Sequence, residues 1–141
     1  LYIWSRVLPM LKHCLFVGSG PDTFAEVYPQ NDYVGKLIYA QNAGRIIEGA
    51  HNSYLMCWVQ TGLLSLVSFL VFAVWFLKRG FGYYRNCELK TVKERLGFGC
   101  YLGCVGYLVC GFFSDYTLYT TPVFFVFAGI ALAASSWTEN P

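Results

Sequence analysis

The sequence predicts an all-α integral membrane protein: a large extracytoplasmic loop with short helices, followed by three transmembrane helices. Three observations predict it. Apolar residues make up 56% of the chain and charged residues 13%, against about 25% charged in an average soluble domain. The apolar residues gather over 54–77, 96–113 and 118–137, each run close to the roughly 20 residues that cross a hydrocarbon core. The cations Lys78, Arg79, Arg85, Lys90, Lys93 and Arg95 crowd into one connection, as the positive-inside rule expects of a cytoplasmic loop.

The chain of 141 residues has room for one domain. Its first residue is Leu and no signal peptide precedes it, so it reads as a piece of a longer multi-pass protein. A net charge of +2, with no basic stripe between aromatics, argues against nucleic acid. Of the six cysteines, Cys57, Cys100, Cys104 and Cys110 fall in apolar helical runs. No Cys-x-x-Cys pair suggests zinc, so most read as small packing residues.

In order along the chain, Trp4, Val7, Leu8, Leu11 and Leu15 follow helical spacing, while Arg6, Lys12 and His13 argue against a span. This segment is expected to lie along the membrane interface as an amphipathic helix bent by Pro9. For its first few residues the frayed end of a spanning helix stays open. Gly18-Ser19-Gly20 reads as a turn, with Pro21 and Asp22 in the first turn of a short helix that ends by Pro29. Such a start can bind phosphate, although many similar turns only turn. Residues 29–50 are punctuated by Pro29, Asn31, Gly35, Asn42, Gly44 and Gly49 and read as a loop. Its Tyr33, Leu37, Ile38 and Ile46 should fold it back onto protein or lipid.

The first span is expected over 54–77, capped by Asn52 or Ser53. The charged stretch 78–95 is then cytoplasmic and residues 1–53 are extracytoplasmic. The second span, 96–113, is rich in small residues. Its Gly99/Gly103 and Cys100/Cys104 pairs have the spacing for close helix contact. Residues 114–117 form an outer turn holding Asp115, and the third span follows over 118–137.

Chemistry is expected on the outer face, where Arg6, Lys12, His13, Lys36, Arg45, His51, Asn52 and Asp115 fall. Cations outnumber acids there, which suits an anionic substrate better than a metal. The histidine and acid spacing holds no metal pattern, and neither a P-loop nor a nucleophile elbow is present. His51 precedes a helix start, whose positive end disfavours imidazolium and leaves a ring able to accept a hydroxyl proton. An arginine can grip a diphosphate through paired hydrogen bonds. Residue types alone leave two readings of His51 open, a proton acceptor or an interfacial helix cap.

The segments Ile3-Trp4-Ser5-Arg6, Gly18-Ser19-Gly20-Pro21-Asp22-Thr23-Phe24, Pro29-Gln30-Asn31-Asp32-Tyr33-Val34-Gly35-Lys36, His51-Asn52-Ser53-Tyr54-Leu55 and Gln60-Thr61-Gly62 together resemble the O-antigen ligase/polymerase family. The likeness covers nearly the whole chain and carries most weight in the order of its segments. It implies a metal-independent bacterial membrane glycosyltransferase that needs no cofactor. A glycan on an undecaprenyl-diphosphate carrier would pass to a hydroxyl of a lipid or glycan acceptor at the outer face of the plasma membrane. It implies that His51 is the catalytic histidine. A family arginine typically precedes the Leu-x-Ile-Trp stretch and would fall before Leu1, so this piece is not expected to be active alone. Arg45 takes the catalytic role beside His51 in this reading, with Arg6, Lys36 and Asn52 as substrate-binding residues. The rival reading is a non-catalytic multi-pass module, such as a transporter or flippase-like scaffold. It would line a path with polar residues inside the spans, and the spans hold few beyond Gln60 and some Ser and Thr.

Overall fold

The computed structural model describes residues 2–30, 37, 46–115 and 120–136. Expectations that fall on 31–36, 38–45, 116–119 and 137–141 lie outside the described residues. Along the described residues run α1 (Tyr2–Met10), α2 (Phe24–Val27), α3 (Ser53–Thr61), α4 (Leu63–Tyr84), α5 (Val92–Cys110) and α6 (Thr120–Ser136). Every regular element among the described residues is helical. The chain divides into two compact units, residues 1–69 with 112–115, and residues 70–111 with 116–141. Among the described residues one helix, α4, is long and apolar enough to cross a membrane, and α6 is a shorter apolar helix.

In the first unit, α1 places Ile3 and Val7 on one face, and Leu11 and Cys14 continue the same side. They pack with Phe24, Tyr28, Ala50 and Val59 into a single core. Burying a side chain such as Phe24 stabilises by about 1.5–3 kcal/mol. The Ile3, Val7 and Leu11 side of this segment is thus committed to protein. Leu8 and Leu15, assigned to the same stripe, are exposed. The short helix α2 starts later than expected. Pro21 and Asp22 form a turn, with Asp22 at φ 61°, and the Thr23 hydroxyl donates to the Gly20 carbonyl.

The expected continuous helix over 54–77 is divided at Gly62. This residue holds φ +90°, outside helical geometry and open chiefly to glycine. The Tyr54 and Phe69 rings lie 6.3 Å apart, whereas a straight helix would separate them by about 22 Å. The chain therefore doubles back between α3 and α4. Residues 15–20 stitch this break. The Ser19 and Gly20 amides donate to the Val59 and Gln60 carbonyls at 2.8 and 3.0 Å, and Leu63 N–H donates to the Leu15 carbonyl at 3.0 Å. Helix ends leave such groups unpaired, so the segment answers both sides of the interruption. A side chain on Gly18 would overlap the Gln60 backbone. Glycine there serves contact with the next segment as well as the turn.

In the second unit, α4 runs on to Tyr84, seven residues past the expected end at Leu77. Lys78 and Arg79 are good helix formers and do not stop it. The Tyr84 hydroxyl donates to the Ala131 carbonyl at 2.9 Å, and the Tyr101 hydroxyl to the Leu77 carbonyl at 3.0 Å. Phe76 meets Tyr101, and Tyr107 stacks on Phe124 at 4.7 Å. Of the two small-residue pairs on α5, Cys100 and Cys104 are buried. Gly99 faces open space, however, and Gly103 only touches the Phe127 ring. Gly97, whose added Cβ would overlap Ala134, makes the close approach to α6. All six cysteines are free thiols, and Cys110 is exposed.

Helix α5 starts at Val92 rather than 96, because Thr91 and Glu94 form a reciprocal capping box. Hydrogen bonding from the Thr91 backbone, and then from its side chain, holds the Glu94 carboxyl below its ordinary value.

Gly62→Ala should lower stability by about 1–3 kcal/mol, because its Cβ would sit 2.6 Å from the Phe16 carbonyl oxygen in a left-handed backbone. Gly99→Ala should be neutral or stabilising by up to about 1 kcal/mol. Thermal unfolding of the two variants checks both. A depressed carboxyl contributes stability that is present above its unfolded value near 4.5 and is lost as pH falls through its lower folded value. Glu94→Gln should remove that part of the acid-side loss, read by unfolding across pH 3 to 6.

Candidate active site

The predicted site residue with the most structure around it is His51. The chain reaches it along an anchored path. The Gln30 side chain donates to the Ile47 carbonyl at 2.8 Å and accepts from its N–H at 2.9 Å. The Trp4 indole donates to the Ala50 carbonyl at 2.9 Å, and Ala50 is fully buried. His51 then takes φ +50°, a left-handed conformation that costs a non-glycine residue roughly 1–2 kcal/mol. Strain of this kind persists where neighbours over-determine the backbone, and it gathers at functional positions.

Asn52 caps α3, its side-chain oxygen accepting from Leu55 N–H at 2.9 Å. This is the cap expected from sequence. Its side-chain amide also donates to the Phe112 carbonyl at 3.1 Å, and the Ser53 hydroxyl donates to the Ser114 carbonyl. Asn52 and Ser53 are both buried. Both serve the fold at this point.

Asp115 completes the arrangement. Its Oδ2 accepts from His51 N–H at 3.0 Å, and its Oδ1 accepts from Asn52 N–H at 3.1 Å. Oδ2 also lies 3.5 Å from the His51 ring Nδ1. One carboxylate thereby grips two successive backbone amides at a helix start, where negative charge is favoured. This carboxylate answers the amide end of α3 just after His51. A side chain on Gly49 would overlap the Asp115 carboxyl, so residue 49 must be glycine for the contact to form. The His51 side chain stays 70% exposed and that of Asp115 24%. The result is an accessible imidazole with one nitrogen beside a half-buried carboxylate and the rest of the ring open. Such a ring can exchange a proton with a bound hydroxyl.

Of the other predicted residues, Arg6 is exposed on α1, its guanidinium carbon 5.7 Å from the Tyr2 ring centroid. Helix α1 is tied to the site by the Trp4–Ala50 bond. Arg45 and Lys36 lie outside the described residues. Sequence reasoning grouped Asp115 with His51 but gave it no role, and it passed over Ser53 and Ser114 as members of the site. The available signal was that Asp115 is the single acid between the last two apolar runs. Among the described residues no three His, Cys, Asp or Glu side chains converge as a metal site would require.

Searches of protein-family models, curated proteins and solved structures find no match to this chain.

His51→Gly should leave stability unchanged or raise it by up to about 1 kcal/mol, since glycine relieves the left-handed strain. Asn52→Ala should lower it by about 1–3 kcal/mol through the lost cap and the orphaned Phe112 carbonyl. Denaturant unfolding of the pair checks that residue 51 is kept for something other than stability.

Proposed function

We propose that this chain belongs to a multi-pass bacterial membrane glycosyltransferase of the O-antigen ligase/polymerase type. It would move a glycan from undecaprenyl diphosphate to a hydroxyl acceptor at the outer face of the plasma membrane. The observation that carries the reading is the strained, exposed His51 fixed by Asp115, at the position where the resemblance puts the catalytic histidine.

In this reading the Asp115 carboxylate receives Nδ1–H and leaves Nε2 to take the proton of the acceptor hydroxyl. The acceptor oxygen bonds to the anomeric carbon, and the bond from that carbon to the diphosphate oxygen breaks. The departing diphosphate carries added negative charge, which Arg45, Arg6 and Lys36 offset. General-base work of this kind contributes about 10²–10⁴-fold in rate. No step in the scheme requires a metal.

The membrane placement rests on α4. Its 22 residues extend about 33 Å, enough to cross the hydrocarbon core with the end that carries Lys78 and Arg79 among the headgroups. Only 22% of its apolar window is buried, unlike the core helix of a soluble protein. Val71, Val74 and Trp75 stand at least half exposed along it. Helices α5 and α6 supply the second and third crossings. Leu102 and Val109 on α5, and Val126 on α6, present apolar surface. The cation-rich connection between α4 and α5 faces the cytoplasm, which leaves residues 1–53 and Asp115 outside.

In the full-length protein, His51→Ala should abolish glycan transfer while membrane insertion stays intact. Asp115→Asn should lower kcat by roughly 10²-fold or more, with a smaller change in KM for the acceptor. Transfer from a lipid-linked donor by His51→Ala at the native rate would end the mechanism.

A further inference from the structure

At the far end of α4 and the start of α5, within the second unit, charge and apolar surface alternate. Residues 78–95 hold six Lys and Arg against Glu88 and Glu94, a net charge of +4 from six minus two. Both acids are engaged locally. Glu88 pairs with Lys90, and Glu94 accepts from Thr91 N–H at 2.8 Å in the capping box. The Arg95 guanidinium donates to the Lys90 carbonyl at 3.0 Å, bracing the connection. Lys78, Arg85, Lys90 and Arg95 are exposed. Between them stand Phe81, Val92 and Leu96, at 61, 78 and 58% exposure.

Cations alone would suit any anion in solution. Cations interleaved with large exposed apolar side chains suit an anion that carries hydrocarbon with it. Lysine and arginine reach outward along their stems while apolar neighbours stay in the acyl region.

We propose that this collar is a docking surface for anionic phospholipid headgroups of the cytoplasmic leaflet. Phe81, Val92 and Leu96 enter the acyl boundary, while Lys78 and Arg85 meet the phosphates. The inference rests on the reading of α4 as a membrane span. It assigns a ligand class and a role, anchoring the inner end of the helices, that the transfer reaction does not require.

The test reconstitutes the full chain in lipid discs of equal phosphatidylglycerol and phosphatidylcholine. It then reads the lipids retained on the protein by native mass spectrometry. The wild-type chain should retain phosphatidylglycerol in preference. The double variant Lys78→Gln, Arg85→Gln, with helix content verified by circular dichroism, should lose that preference, by roughly fivefold for each cation removed. Equal retention of both lipids by wild type, or a preference that survives the double variant, overturns the proposal. Hydroxyl-radical labelling of Trp75 in the same discs separates the two readings. Protection of Trp75 with no lipid preference sinks the collar alone. Oxidation of Trp75 by aqueous radical sinks the span, and the collar with it.

Discussion

Asp115 joins parts of the chain 64 residues apart by accepting from the backbone of His51 and Asn52 at once. Several other features follow from that contact. Residue 49 has no room for a side chain. The Phe112 and Ser114 carbonyls, left open as the turn after α5 begins, find their donors on Asn52 and Ser53. The start of α3 and the turn at 112–115 thereby hold each other. A charged acceptor on backbone amides is worth more than an ordinary hydrogen bond, about 1.5–3 kcal/mol against about 1. That margin is enough to hold His51 in a backbone conformation it would otherwise leave.

The second constraint is the reversal at Gly62. An interrupted helix exposes unpaired carbonyls on one side and unpaired amides on the other. Residues 15–20 supply both kinds of partner, so the break is built into the fold. It also separates two tasks. The short helix α3 belongs to the core that carries His51, with Val59 fully buried in it, while α4 carries the long apolar stretch. The imidazole thus sits at the head of a nine-residue helix, not at the start of the long apolar one.

What was legible in the sequence was mostly local. The Asn52 cap could be read because the donor lies three residues on, and the helical character of the apolar runs followed from their length. The break at Gly62 was hidden because a lone glycine in an apolar run costs a helix only about 1 kcal/mol, so its presence decides nothing. The N-terminal stripe gave a helix but not what covers it. The register that buries Ile3, Val7 and Leu11 depends on Phe24, Tyr28 and Val59, which arrive from distant segments. The start of α5 at Val92 was set by the capping box, a signal present in Thr91 and Glu94 but masked by the surrounding charge. The His51–Asp115 pairing was not legible for a plainer reason. Its partners are far apart in sequence, and only the fold decides which of eight acids meets which histidine.

The account turns on which ring nitrogen of His51 faces the carboxylate. Nitrogen-15 NMR of the neutral histidine ring in the full-length protein reads this directly. The account predicts the Nδ1–H tautomer, shifting to a mixed population when Asp115 is replaced by alanine. A ring protonated on Nε2, or a tautomer indifferent to residue 115, would contradict it.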